Sequence, residues 1–108
     1  MVETLEDPPW LRAMVRETFE WDPAKDAANR LKHGVSFAEA EAAFADPRRV
    51  IAEDEMHGGE EKRFFCFGQV DGGILTVRFT WRGEAIRIFG AGYWRTGRAI
   101  YERENQIH

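Results

Sequence analysis

Apolar and polar residues alternate through residues 74–91, ILTVRFTWRGEAIRIFGA. Leu75, Val77 and Phe79 interleave with Thr76, Arg78 and Thr80, and beyond Arg82-Gly83, Ile86 and Ile88 interleave with Ala85, Arg87 and Phe89. A period of two is that of a half-buried strand, and Arg-Gly between two such runs predicts a hairpin. A turn centred on Arg82-Gly83 pairs Val77 with Ile88, Phe79 with Ile86 and Arg78 with Arg87. Like charges directly opposed in a sheet are unfavourable. This register therefore predicts an anion, most simply a phosphate, between Arg78 and Arg87. The competing reading turns each arginine to solvent or pairs it with a carboxylate from elsewhere.

The rest of the chain gives further elements. Phe19-Glu20-Trp21 reads as a short strand, followed by Asp22 as N-cap and Pro23 at the first helical position. The helix predicted over Pro23–His33 turns Ala24, Ala27, Ala28 and Leu31 inward and ends at Gly34. Ser36 and Glu39 form a capping box for a second helix, SFAEAEAAF, which buries Phe37, Ala40 and Phe44 and breaks at Asp46-Pro47. Strands are expected at Arg49–Glu53 and Lys62–Val70, with a polar loop between them and a turn at Asp71-Gly72-Gly73. A final helix runs from Thr96 to about Asn105, weakened by Gly97. Residues 1–17 read as an appendage in which Pro8-Pro9 opens a short helix bearing Trp10, Leu11, Met14 and Val15.

The order strand, two helices, four strands, helix predicts one α+β domain over residues 1–108. It has a small antiparallel sheet, helices packed on one face and the other face partly free. At 108 residues, 44% hydrophobic and 31% charged, the composition is that of an ordinary soluble domain. No apolar run reaches membrane-spanning length, and the acidic N-terminus has no signal-peptide pattern. Cys66 is the single cysteine, which fits a reducing cytoplasm and a role as a small apolar strand residue. Charge is uneven. Residues 1–60 carry seven Lys and Arg against fourteen Asp and Glu, whereas residues 61–108 carry eight against five. Seven of those eight are arginine, the side chain suited to bidentate phosphate recognition.

Several chemistries find no motif. His33, His57 and His108 have no ligand spacing, and Glu53-Asp54-Glu55 with Glu60-Glu61 reads as a solvated loop rather than a cation site. GxxxxGK[ST] and GxSxG do not occur, and Gly90-Ala91-Gly92 lacks the dinucleotide fingerprint. No cofactor is expected. What remains is a set of cations and aromatics. Such a set suits RNA cleaved without a metal, in which a base takes the 2′-hydroxyl proton, an acid protonates the 5′-oxygen and cations hold the phosphate charge. Arg78 and Arg87 on the free face, Arg82 at the turn, and Tyr93, Trp94 and Arg95 beyond the last strand are candidates. Trp94 reads as core rather than stacking platform, and Tyr93 fits either role.

The blocks FEWDPAKDAANRLKHGVSFAEA, RFFCFG and RGEAIRIFGAGYWRTGRAIYE resemble the BrnT family of toxins from bacterial type II toxin–antitoxin pairs. Trp21-Asp22-Pro23, Asn29, Lys32 through Phe37, Arg82 and Arg87 carry the resemblance, which spans about Phe19 to Glu102. It implies a RelE-like fold, RNA cleavage that arrests translation and growth, and a BrnA-like ribbon-helix-helix antitoxin through which the pair reaches operator DNA. Lys32, His33, Arg63, Arg82 and Arg87 are the positions it implies for RNA handling, whereas Arg78, from strand register, and Tyr93, from its place beyond the last strand, are RNA contacts read from the residues alone. His33 suits acid or base work because histidine changes charge near neutral pH, and a capping role at its helix end explains it equally. Lys32 is a second candidate base or a phosphate contact, and Glu61 a third if its loop folds back over the sheet. Many members end the last strand in Ser-Ala-Arg. Here Gly92 stands where the arginine is expected, and Arg95 is its expected replacement. A non-catalytic module that holds the antitoxin and tunes operator binding is the alternative reading.

Overall fold

The computed structural model describes residues 3–5, 18–57 and 59–107. The elements are β1 (Glu3–Leu5), β2 (Phe19–Glu20), α1 (Pro23–His33), α2 (Phe37–Ala40) continuing into a 3-10 turn (Glu41–Ala45), β3 (Val50–Asp54), β4 (Arg63–Val70), β5 (Gly73–Arg82), β6 (Ala85–Gly92) and α3 (Arg95–Glu104). The expected Pro8-Pro9 helix lies outside the described residues. Part of the supposed appendage, Glu3–Leu5, is a strand. The six strands run in the order β1-β3-β4-β5-β6-β2, antiparallel throughout except for the parallel pair β2–β6.

Local signals act as the sequence predicts. The Asp22 carboxylate accepts a hydrogen bond from the Ala24 amide at 2.9 Å, and Gly34 closes α1 with φ 69° in the left-handed region. Ser36 and Glu39 form both bonds of the capping box. Phe37, Ala40, Ala43 and Phe44 are fully buried against Leu75, Val77, Phe79 and Ile88 of the sheet. Phe44 and Phe79 meet edge to face, ring centres 5.0 Å apart, and each buried phenylalanine contributes about 1.5–3 kcal/mol.

Three expectations change. The α+β class with an antiparallel sheet holds, and α1 and α2 share one face. Helix α3 docks on the opposite face, where Ile100 and Tyr101 cover Val50, Ala52 and Phe67. Gly97 is why it can lie so close, since a Cβ there would collide with the Thr76 hydroxyl and press the Phe67 ring. Second, the alanine face of α1 is not its inward face. Ala24, Ala27, Ala28 and Leu31 are exposed, Leu31 by 91%. The helix docks instead through buried Asn29, whose amide donates to the Val35 and Ala91 carbonyls at 2.9 Å and accepts from the Ala91 amide at 3.2 Å. Asp26 adds a bond from the Phe37 amide at 2.8 Å.

Third, the hairpin register differs. The turn residues are Gly83 and Glu84, so Arg82 faces Ala85, Thr80 faces Arg87 and Phe79 faces Ile88. A shift between Arg78 and Phe79 leaves Phe89 as an extra residue, after which Arg78 faces Gly90 and Val77 faces Ala91. Such a bulge inserts one residue and bends the strand locally. The expected pairs Arg78–Arg87, Val77–Ile88 and Phe79–Ile86 therefore do not form, and Arg78 and Arg87 are not opposed.

Candidate functional site: a two-chambered groove around Arg78

Gly90 and Gly92 occupy successive positions on the α3 side of β6, with Ala91 turned into the opposite core. Glycine inside a strand marks a place where something approaches closely, and here two side chains do. A Cβ on Gly90 would touch the Arg78 stem at 3.5 Å, and one on Gly92 would overlap the Trp94 indole at 2.5 Å. The arginine expected at 92 is absent, and the indole fills its place. Trp94 is 38% exposed, which corrects the reading of it as core.

Arg78 and Trp94 together divide two cavities. One, of about 420 Å³, is lined by Asp54, His57, Thr76 and Thr96 as well as these two side chains. The other, of about 310 Å³, is lined by Lys25, Lys32, His33 and Phe89 beside them. His33 meets the Trp94 ring edge to face at 5.2 Å, so the end of α1 and the start of α3 touch at this wall.

The bulge residue Phe89 concentrates positive charge. The guanidinium carbons of Arg63 and Arg78 lie 4.7 and 5.3 Å from its ring centre, within the range of a cation–π attraction. The Arg63 Nε is buried without a hydrogen-bond partner, as is the Thr76 hydroxyl. Two arginines sharing one ring, with Lys25 and Lys32 lining the cavity beside Arg78, make a cationic wall of the kind that suits a phosphate. The Arg78–Arg87 pair read from the alternation does not form, and Arg63, not Arg87, is the arginine that shares a ring with Arg78.

Other candidates lie elsewhere. Arg82 is at the hairpin end, 3.2 Å from Glu61, and both are exposed, so Glu61 does not fold over the sheet. Arg87 pairs with Glu20 of the neighbouring strand at 3.6 Å. Tyr93 donates to the Val70 carbonyl at 3.2 Å, and Arg95 lines a smaller hollow beside it. Neither lines the two cavities around Arg78.

Three groups were missed in the sequence. Asp54 is not a solvated loop residue: it ends β3, is 6% exposed and accepts from the Met56 amide at 3.2 Å. His57 reaches back to it, with Nδ1 3.1 Å from Oδ2. Thr76 is buried beneath Gly97. Their spacing carries no motif, and only the glycine alternation at 90 and 92 could have pointed to this part of the sheet. Among the described residues, no three His, Cys, Asp or Glu side chains cluster to hold a metal ion, and no helix is long and apolar enough to cross a membrane.

Residues 21–97 match the family model described as ribonuclease toxin, BrnT, of type II toxin-antitoxin system. No curated protein matches the chain.

Proposed function

The chain belongs to the BrnT family of ribonuclease toxins of type II toxin–antitoxin systems, and from that premise we propose that it is a metal-independent endoribonuclease whose RNA strand crosses the Arg78–Trp94 wall. The observation that carries this reading is Arg78 itself, held over Phe89 and open to both chambers. A scissile phosphate on Arg78 would have Lys32 and His33 on one side and the larger, mostly apolar chamber on the other. Trp94 offers a ring for a flanking base, since every base has a π-face. Arg78, Arg63 and Lys32 supply the charge that stabilises the phosphate as it becomes pentacoordinate, which is the work a metal does in other nucleases. Arg82, Arg87, Arg95 and Tyr93 act at the margins, along the RNA strand.

The toxin acts in the cytoplasm and is neutralised by a BrnA-like ribbon-helix-helix antitoxin, through which the pair reaches operator DNA. These finer parts rest on the sequence resemblance. Gly92 supports a second reading, a catalytically weak module that holds the antitoxin, because its position lacks the arginine found in many members.

Induced expression of the chain alone separates the two. Growth arrest with cleaved cellular RNA is expected. Normal growth with intact RNA would remove the ribonuclease reading and leave the binding module. Cleavage of synthetic RNA by the purified protein should persist in EDTA, and its loss would remove metal independence.

A further inference from the structure

The larger chamber contains a carboxylate–histidine pair on the opposite side of Arg78 from His33. The Asp54 carboxylate is buried at the end of β3, and the His57 Nδ1 lies 3.2 and 3.1 Å from its two oxygens. The imidazole is otherwise open, with 61% of the side chain exposed. A carboxylate accepts and does not donate, so the Nδ1 proton faces Asp54, and in the neutral imidazole the lone pair is on Nε2. That is the arrangement of a general base oriented by an acid side chain. The chamber also holds the buried Thr76 hydroxyl, which has no hydrogen-bond partner. The charged groups around His57 are Asp54 of β3, Arg78 of β5 and Arg63 of β4, the last directly opposite Asp54 in the sheet register. Helix α3 contributes uncharged Thr96, Gly97 and Ile100.

We propose that His57, oriented by Asp54, is the general base of the cleavage step, with His33 as the acid across Arg78. This rests on the ribonuclease reading above. His57 Nε2 takes the proton of the 2′-hydroxyl, and the freed oxygen forms a bond to phosphorus. The bond from phosphorus to the 5′-oxygen breaks, its electron pair stays on that oxygen, and His33 protonates it. The products are a 2′,3′-cyclic phosphate and a 5′-hydroxyl end, with no further reactant needed. Asp54 is a positioning residue.

The test is the pH dependence of cleavage of a short RNA by the purified protein and its His57→Asn, His33→Asn and Asp54→Asn variants. Binding of the same oligonucleotide with 2′-deoxy sugars is measured in parallel. The unaltered protein should give a bell-shaped profile. His57→Asn should lower the turnover rate by roughly 10²–10⁴-fold and remove the acidic limb. His33→Asn should remove the alkaline limb. Asp54→Asn should lower turnover less than His57→Asn, and all three should bind the deoxy strand as the unaltered protein does. Unchanged turnover and profile in His57→Asn would overturn the assignment while leaving the ribonuclease reading in place. Weakened deoxy-strand binding at unchanged maximal turnover would overturn it too, by making His57 a binding group. No cleavage by the unaltered protein would overturn both readings.

Discussion

Arg78 is the one candidate cation that borders both chambers, whereas Arg82 is tied to Glu61 at the exposed hairpin end. The two arginines therefore make different predictions. Replacing Arg78 with glutamine keeps a polar stem over Gly90 and removes the charge. It should reduce RNA cleavage by roughly 10²–10³-fold, the usual loss when one preorganised electrostatic contact is removed. Arg82→Gln should change cleavage less than Arg78→Gln in the same assay, and equal losses would place the phosphate elsewhere. The arginine face was legible because alternation fixes which side of a strand a residue occupies. Its partner was not, since a register depends on where the turn falls and whether a bulge intervenes. Neither Gly83-Glu84 nor the extra Phe89 has a sequence signature strong enough to displace Arg-Gly as the turn. His57 and Asp54 were invisible for another reason. Only the fold brings a polar loop back onto the end of β3.

Helix α1 shows how an element can be right in extent and wrong in orientation. Its caps define Pro23–His33, but alanines differ too little from polar residues in hydrophobicity to fix the docked face. Asn29 and Asp26 fix it by hydrogen bonds instead. Helix α3 shows the reverse. Gly97 reads as a weakness in an isolated helix, where alanine is better by about 1 kcal/mol. In the fold it is the point of closest approach to the sheet, against the Thr76 hydroxyl and Phe67 ring. Gly97→Ala should therefore lower the thermal midpoint despite its helical preference, and it should also distort the larger chamber. A raised midpoint would mean that α3 can lift from the sheet at no cost.

Across the molecule, the α+β class and the strand sequence follow from periodicity and turn residues. The second packed face does not, because α3 carries only Ile100 and Tyr101 as its buried large side chains. Tyr101 secures that face by donating to the Asp46 carboxylate at 2.7 Å, which also accepts from the Gln69 and Arg48 amides at 2.8 Å. Burial raises the Asp46 carboxyl, but these bonds and the Arg48 charge bring it below its usual value. Burial, with the bond to Asp46 and its charge, pushes the Tyr101 hydroxyl up to about 12. A lowered carboxyl stabilises the fold above its unfolded-state pKa, and that stability is lost as pH falls through the folded value. A raised phenol stabilises below its unfolded-state pKa, and that stability is lost as pH climbs through the folded value. Urea midpoints across pH should therefore fall at both extremes. Asp46→Asn should flatten the acid side and Tyr101→Phe the alkaline side, and curves parallel to that of the unaltered protein would dissociate this junction from the pH response.

The Asn29 amide also does the work of a missing strand. β2 pairs with β6 only at Ile86 and Arg87, and further along it is the Asn29 side chain that meets both backbone groups of Ala91. A sheet edge with free amides and carbonyls recruits other edges. Losing this amide would leave buried groups unpaired at a cost of about 1–3 kcal/mol each, and it would also bare a template for self-association. Asn29→Ala should accordingly yield oligomers in light scattering as concentration rises, a misassembly that a merely less stable monomer would not show under folding conditions.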